Sequence, residues 1–418
     1  MNEWMIREFY GEDAVDYEKL TAVAFHYSNE GILREDEFKK NLIQADAQWR
    51  EDVTDLYQNR FTRYGAFLDG RLVSAFKCYA FVVHFDGQRC EMGGIGGVAS
   101  DPELRRTGGV SRLMRHALLE MKRKGQILSH LSPFKTSFYR KYGYEHTATA
   151  IRWTVPIAFF PQDPYENLVR YENTEAQIQD VKRLYLEYVK KYNLSVDRSD
   201  ARWKASLNRF RAYAGKTFCY FHCTDGVADG FMAYTVREYE KEPMDVNVSE
   251  LWVTDACALR AFLSYLGSMS SYAKKATLIL PADLDITPML SEMQSSYGRE
   301  VVTREILSRG ATRVVDVEAV LLRAAYRGAG EARIRVSDPD CPWNNRAFHV
   351  QFKGGRATRV EECEECDVEM PIGAFSVMIL GGAEIEQSAF FAGVTVHGNE
   401  ENLKKIFYKK KLWIEDSF

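Results

Sequence analysis

The chain has 418 residues, 46% hydrophobic and 27% charged, which is near the globular average and excludes a collagen, a disordered tail and a disulfide-stapled miniprotein. Fifty-five basic against 59 acidic side chains leave a net charge of −4, so no overall basic field exists to collect nucleic acid or an anionic membrane. The N-terminal stretch is acidic and lacks the apolar core of a secretory signal, and no later run approaches 18 apolar residues; a cytoplasmic protein with no membrane partner is expected.

The first strong signal along the chain is a hairpin at Phe67–Tyr79, where Asp69-Gly70 separates two apolar runs. Strands follow at Phe81–Phe85 and Cys90–Val98, then a loop at Ala99–Thr107 and a helix from about Gly109 to Lys124. On that helix Val110, Leu113, Met114, Ala117 and Met121 share one face at helical period. Strands at Gln126–Leu131 and His146–Val155 are predicted to close the unit. The layout returns about 156 residues later: a strand at Cys219–His222, the turn Asp225-Gly226, strands at Phe231–Val236 and Ser249–Val253, a helix at Cys257–Ser270 and a strand at Ala276–Leu280. This is an internal duplication. The copies differ at one point, since Thr254-Asp255-Ala256-Cys257 stands where the first copy has an Arg- and Gly-rich loop, so the second is not expected to bind the same ligand.

A third region begins near Ala311. A helix at Val317–Tyr326, strands at Gly330–Val336, Arg346–Phe352, Ala357–Arg359 and Val368–Met370, and a helix at Ile372–Leu380 stopped by Gly381-Gly382 predict a small α+β domain. The expected domains are therefore 1–150, 151–305 and 306–418. The eight cysteines read as free thiols in a reducing compartment. Cys363 and Cys366 make a CxxC, but no second CxxC or HxxxH complements it and the histidines fall at no metal spacing, so no metal is expected. The acidic runs Glu35-Asp36-Glu37 and Glu361–Asp367 and the basic run Lys409-Lys410-Lys411 read as solvated faces.

The chemistry concentrates in Val98-Ala99-Ser100-Asp101-Pro102-Glu103-Leu104-Arg105-Arg106-Thr107-Gly108-Gly109-Val110-Ser111, which passes from a strand through a basic glycine loop into a helix. A helix N-terminus exposes about four unpaired N–H groups and roughly half a positive charge, enough to hold a phosphate. Gly108 and Gly109 let the backbone approach an anion, and Arg105 and Arg106 add charge. A phosphate loop ending in Gly-Lys-Ser/Thr is absent, and so is a GxGxxG at the turn into the helix. The earlier Gly93-Gly94-Ile95-Gly96-Gly97 reads either as a strand with a bulge or as a strand open on one edge to an extended ligand arm.

Downstream stands Leu131-Ser132-Pro133-Phe134-Lys135-Thr136-Ser137-Phe138-Tyr139-Arg140-Lys141-Tyr142-Gly143-Tyr144. The pairing of V-x-x-x-P-x-x-R-x-x-G with F-Y-x-K-x-G-Y, 37 residues apart from Pro102 to Tyr139, resembles the acetyl-CoA core of the GNAT superfamily of N-acetyltransferases. That resemblance implies that the backbone of Val98, Ala99 and Ser100 pairs with the pantetheine arm. It implies further that Arg105, Arg106, Thr107, Gly108, Gly109, Val110 and Ser111 surround the pyrophosphate, that Phe134 and Lys135 lie beside the cofactor on the next strand, and that Tyr139 is the acid. Val110 departs from the commonest pattern, in which Gly or Ala stands there.

The whole chain is similar to the enhanced intracellular survival family of aminoglycoside acetyltransferases. The resemblance implies tandem GNAT domains, α/β, the second degenerate, followed by a sterol-carrier-like α+β domain. It also implies a homohexamer that transfers acetyl groups to small-molecule amines, and a terminal carboxylate, here that of Phe418, acting as base. An amine with a pKa near 10.4 is almost wholly protonated at neutral pH and needs such help. Two other functions remain open at this point: acetylation of lysine on a protein or peptide, and a lipid carrier with vestigial transferase domains, for which the third region would have to hold a large apolar tunnel.

Overall fold

A computed structural model describes residues 3–26, 39–40, 43–44, 61–210, 217–237 and 244–415. These divide into two compact units, one joining the described part of 1–147 to 310–410, the other comprising 148–309 with 411–415. The acidic run Glu35-Asp36-Glu37, expected to be a solvated face, lies outside the described residues.

The first sheet is built from β1 (Trp4–Glu8), β2 (Phe61–Leu68), β3 (Arg71–Phe85), β4 (Gln88–Ser100), β5 (Leu128–Leu131) and β6 (Glu145–His146). Asp69-Gly70 has both φ angles positive, at 50° and 83°, the geometry of the tight turn whose twist matches the strands it joins. Asp86-Gly87 repeats it, at 48° and 77°, between β3 and β4. Helix α1 (Glu12–Phe25) packs on β3 and β4, and α2 (Gly109–Arg123) on β2, β3 and β4, burying Leu113, Met114, Ala117, Leu118 and Met121. A Cβ on Gly93 would lie 2.4 Å from the Met121 methyl, so the Met121 side chain of α2 fills the space beside this glycine of β4. The short helix α3 (Thr136–Tyr139) follows β5.

The second unit repeats this plan with β7 (Thr149–Pro156), β8 (Leu168–Arg170), β9 (Thr217–Thr224), β10 (Val227–Arg237), β11 (Met244–Val253), β12 (Ala273–Pro281) and β13 (Thr303–Ser308), ordered β13-β7-β12-β11-β10-β9-β8. Helix α4 (Glu175–Val189), α5 (Asp200–Phe210) and α6 (Ala256–Gly267) complete it. The duplication is visible in the pairing: β4 and β5 run parallel with α2 between them, as do β11 and β12 with α6 between them. A core around Trp153, Phe262 and Leu278 and another around Tyr185, Trp203, Phe231 and Trp252 hold the unit.

The chain then returns to the first sheet. Strand β14 (Ala311–Val314) pairs with β5 on one side and β6 on the other, giving the order β1-β2-β3-β4-β5-β14-β6. Sequence reading runs one strand from His146 to Val155 in the first unit and puts Ala311 at the start of the third region; the structure breaks the first run after His146, and the hydrogen bonding puts β7 in the second sheet, against β12 and β13, and β14 in the first. Both are short runs suited to burial, and periodicity does not name a strand's partner. All four residues of β14 are buried. Its Arg313 donates to the Tyr142 carbonyl and forms a buried ion pair with Asp338.

Helix α7 (Val317–Arg323) leads into a sheet of β15 (Gly330–Ser337), β16 (Ala347–Lys353), β17 (Arg356–Cys363), β18 (Val368–Pro371) and β19 (Thr395–Val396), ordered β17-β16-β15-β18-β19. Helix α8 (Ile372–Leu380) is almost wholly buried and ends at Gly381, whose φ is 94°; α9 (Glu400–Ile406) follows β19. Of Lys409-Lys410-Lys411, Lys409 and Lys411 are exposed as expected, with Lys409 donating to the Gly382 carbonyl and Lys411 meeting Asp283 at 3.2 Å, whereas the Lys410 side chain departs from a solvated face and is buried with its Nζ 2.6 Å from Asp86. Within the acidic run, Glu361 and Glu362 pair with Arg359 and Arg346. No described helix is long and apolar enough to cross a membrane.

Candidate active site

The parallel ladder of β4 and β5 extends only from Met92 to Ile95, opposite Leu128 to Leu131, while β4 continues along β3 to Ser100. The two strands therefore diverge at Gly96, leaving Ala99 and Ser100 with a strand partner on the β3 side only among the described residues, with Val98 at the register shift before them. Of the two readings of the glycine run, the bulge is present, whereas Gly93, Gly94 and Ile95 pair with both β3 and β5, so the open edge begins only beyond the paired part of the run. Opposite Phe76 the β3–β4 register shifts, making a bulge at Gly97 and Val98. Gly97 has φ 62° and its carbonyl accepts the Tyr17 hydroxyl at 2.8 Å; a Cβ there would sit 2.3 Å from that hydroxyl.

Beyond Ser100 the chain makes one turn of 3-10 helix at Pro102–Leu104, capped by the Asp101 carboxylate, which also pairs with Arg71. Thr107 Oγ1 donates to the Leu104 carbonyl at 2.7 Å. Arg106 and Gly108 both have positive φ, 67° and 96°, and α2 opens at Gly109 with no side-chain cap. Arg105, Arg106 and Thr107 just before it are exposed, and the first N–H groups of a helix have no partner within it. Gly109 is buried against Ser74, where a Cβ would meet Oγ at 2.7 Å, and Ser74 is hydrogen-bonded to Ser100 at 2.8 Å. Val110 is partly buried against the α2 core. The uncapped, glycine-started, arginine-flanked helix end fits a pyrophosphate, and the one-sided stretch of β4 fits an extended amide-bearing arm.

Strand β5 ends at Leu131, so Phe134 and Lys135 are not on a strand as the resemblance implies; they occupy the turn after Pro133 that feeds α3, and both are exposed. Pro133 supplies no ladder donor, which stops the strand there. Phe134 lies edge-on to Tyr139 at 5.5 Å. Tyr139 is 3% exposed, enclosed by Phe134, Phe138 and Tyr144, and burial pushes its hydroxyl well above the ordinary tyrosine value.

Tyr139, which the resemblance makes the acid, stands beside Tyr142 and Tyr144, and hydrogen bonding separates the three. Tyr142 shares a 2.8 Å hydrogen bond with Ser111 at the start of α2. Tyr144 shares one of 2.6 Å with the buried Ser129 on β5. The Tyr139 hydroxyl has no hydrogen-bond partner among the described residues.

Phe418 lies outside the described residues. The segment leading to it is anchored in the second unit, an arrangement that sequence reading missed. Trp413 is 3% exposed, Leu412 bridges Asn193, and Arg309 donates to the carbonyls of Ile414 and Glu415 at 2.7 Å each. The apolar run in KLWIEDSF was the available signal. A cleft of about 390 Å³ beside α1 is lined by Asp13, Asp16, Lys19, Arg71 and Asp101. It too escaped sequence reading, because its carboxylates come from segments that the fold alone brings together.

Residues 5–147 match the model of an acetyltransferase (GNAT) domain, residues 194–313 a second acetyltransferase (GNAT) domain, and residues 317–415 a sterol carrier protein domain. The chain is an acetyltransferase, with tandem GNAT domains followed by a sterol-carrier-like domain; such domains take acetyl-CoA as co-substrate. An uncharacterized N-acetyltransferase of Streptomyces griseus is 22% identical over 77% of this chain and 80% of its own length. Among solved structures, a probable N-acyltransferase of unknown function from Enterococcus faecalis superposes with TM-score 0.80 at 22% identity, and Eis1 from Mycobacterium abscessus with TM-score 0.77 at 17% identity; each alignment covers both chains completely. At such identities the likeness is one of fold.

Proposed function

We propose that this enzyme acetylates amines of polycationic small molecules, aminoglycosides among them, as a cytoplasmic homohexamer of the enhanced intracellular survival family. In this reading the backbone of Val98, Ala99 and Ser100 holds the pantetheine amides. The first N–H groups of α2, from Gly109 to Ser111, with Arg105, Arg106, Thr107 and Gly108, hold the pyrophosphate, and Phe134 and Lys135 flank the arm. Acetyl-CoA supplies the thioester. The Tyr139 hydroxyl gives its proton to the departing sulfur, and the Phe418 carboxylate neutralises the acceptor ammonium and takes its proton.

One observation carries the assignment: the Tyr139 hydroxyl, which burial pushes above the ordinary tyrosine value, has no hydrogen-bond partner among the described residues, while Tyr142 and Tyr144 are hydrogen-bonded to Ser111 and Ser129. A phenol held above its ordinary value near 10 stays a donor throughout the neutral range. The terminal carboxylate is ordinarily charged above about pH 4, so it is available at neutral pH. The limiting pH dependence then belongs to the acceptor: activity rises as its ammonium deprotonates and does not fall on Tyr139 ionisation below about pH 10.

Thiol release from acetyl-CoA with a panel of aminoglycosides, polyamines and lysine peptides tests the reading. With Phe418 deleted, turnover should fall about 10²-fold or more while acetyl-CoA affinity is kept. Full turnover after the deletion would remove the carboxylate from the mechanism. Lysine peptides as the sole acceptors would replace the small-molecule assignment.

A further inference from the structure

The CxxC, set aside on linear spacing, has a different environment in the folded chain. Cys366, Glu369 and His397 each bring one ligand atom to within 4.8 Å of the other two. They come from the approach to β18, from β18 itself, and from the residue after β19, so 31 positions separate Cys366 from His397 in the chain. Along β18 the side chains of Val368 and Met370 are buried, whereas Glu369 points to solvent on the face opposite the core. His397 is exposed as well, and Cys366 is half-buried.

The backbone that carries these groups is held independently of any ligand. The Asp367 carbonyl accepts the His397 N–H at 2.7 Å and the Gly398 N–H at 3.3 Å. The Asp367 carboxylate accepts the Arg333 N–H at 2.7 Å and the Asn399 amide at 2.9 Å, and its own N–H donates to the Arg333 carbonyl at 2.8 Å. Asp367 thus locks the position next to Cys366 against the position of His397. Such support from neighbouring hydrogen bonds orients the groups around a metal.

We propose that Cys366, Glu369 and His397 form a zinc-binding site on the solvent face of the third domain. The donor set is one thiolate, one imidazole and one carboxylate, the three donor types zinc takes, whereas magnesium and calcium prefer oxygen alone. Zinc bonds of about 2.0 to 2.3 Å place ligand atoms roughly 3.3 to 3.8 Å apart, a contraction that side-chain rotation in this half-exposed cluster supplies. On ligation the Cys366 thiol loses its proton to solvent, and the fourth position is taken by water. Cys363 is not part of the set; its thiol donates to the Glu365 carbonyl at 3.3 Å.

The test uses the untagged full chain, reduced and stripped with a chelator, then titrated with Co(II) and, in competition with a chromophoric chelator, with Zn(II). About one equivalent per chain is expected, with a thiolate-to-cobalt charge-transfer band in the near ultraviolet. Cys366→Ser should abolish the band, and His397→Ala and Glu369→Gln should each weaken Zn(II) binding about tenfold or more, while Cys363→Ser keeps full stoichiometry. The proposal is overturned by Co(II) binding without a thiolate band, by unchanged binding in Cys366→Ser, or by loss in Cys363→Ser with retention in His397→Ala, which would put the metal on the cysteine pair. Unchanged circular dichroism of each variant separates site loss from unfolding.

Discussion

The two repeats start their crossover helix at the same point of the same sheet plan and leave it in opposite chemical states. In the first, α2 begins behind Arg105, Arg106 and the left-handed Gly108, with no side-chain hydrogen bond capping its end. In the second, Asp255 caps α6, accepting the Ala258 N–H at 3.0 Å, and Thr254 is tied through its N–H to the Asp229 carbonyl at 2.9 Å. A helix end attracts negative charge wherever it occurs; the second repeat meets that demand with its own carboxylate, while the first leaves it for a ligand. The fold sets where an anion site can be, and the residues at the cap decide whether one exists.

The comparison breaks most severely at the acid. Tyr139→Phe should lower kcat about 10²- to 10⁴-fold with the KM for acetyl-CoA little changed, whereas Tyr144→Phe, losing only the Ser129 bond, should affect stability more than turnover. Steady-state kinetics beside thermal unfolding separates the two, and equal losses of kcat would end the distinction between these tyrosines.

Closing the first repeat as the second is closed comes next. Gly108→Asp should raise the KM for acetyl-CoA about tenfold by setting a carboxylate at the start of α2. Gly108→Asn imposes the same backbone strain at φ 96° without the charge, so the difference between the two variants isolates the electrostatic part. Arg105→Ala and Arg106→Ala should each raise that KM a few-fold, and the effect should shrink as salt is added, because both side chains are exposed.

The smallest effect belongs to the second repeat. Asp255→Ala should cost about 1 kcal/mol of stability, read by denaturant unfolding, and leave acetyl-CoA kinetics untouched. A change in cofactor KM there would mean that the capped helix end takes part in binding after all.

Sequence made the local features legible. The Asp-Gly turns, the apolar face of α2, the glycine stop at Gly381 and the repeat spacing each depend on a few neighbouring residues, and each stands where the pattern put it. The loop from Val98 to Ser111 was equally readable, since backbone freedom at Gly108 and charge at Arg105 and Arg106 are properties of those residues.

Tertiary structure decided partnership. Which sheet takes β7 and which takes β14 depends on an edge that only the assembled fold offers, and neither TAIRWTVP nor ATRV specifies its neighbour. The same holds for the sorting of three adjacent tyrosines by Ser111 and Ser129, for Lys410 against Asp86, and for Cys366 beside His397. Turns and helix caps involve residues a few positions apart, so sequence determines them directly. Hydrogen-bond partners and ligand sets join positions tens to hundreds of residues apart, and only the folded backbone brings those distances to a few ångströms.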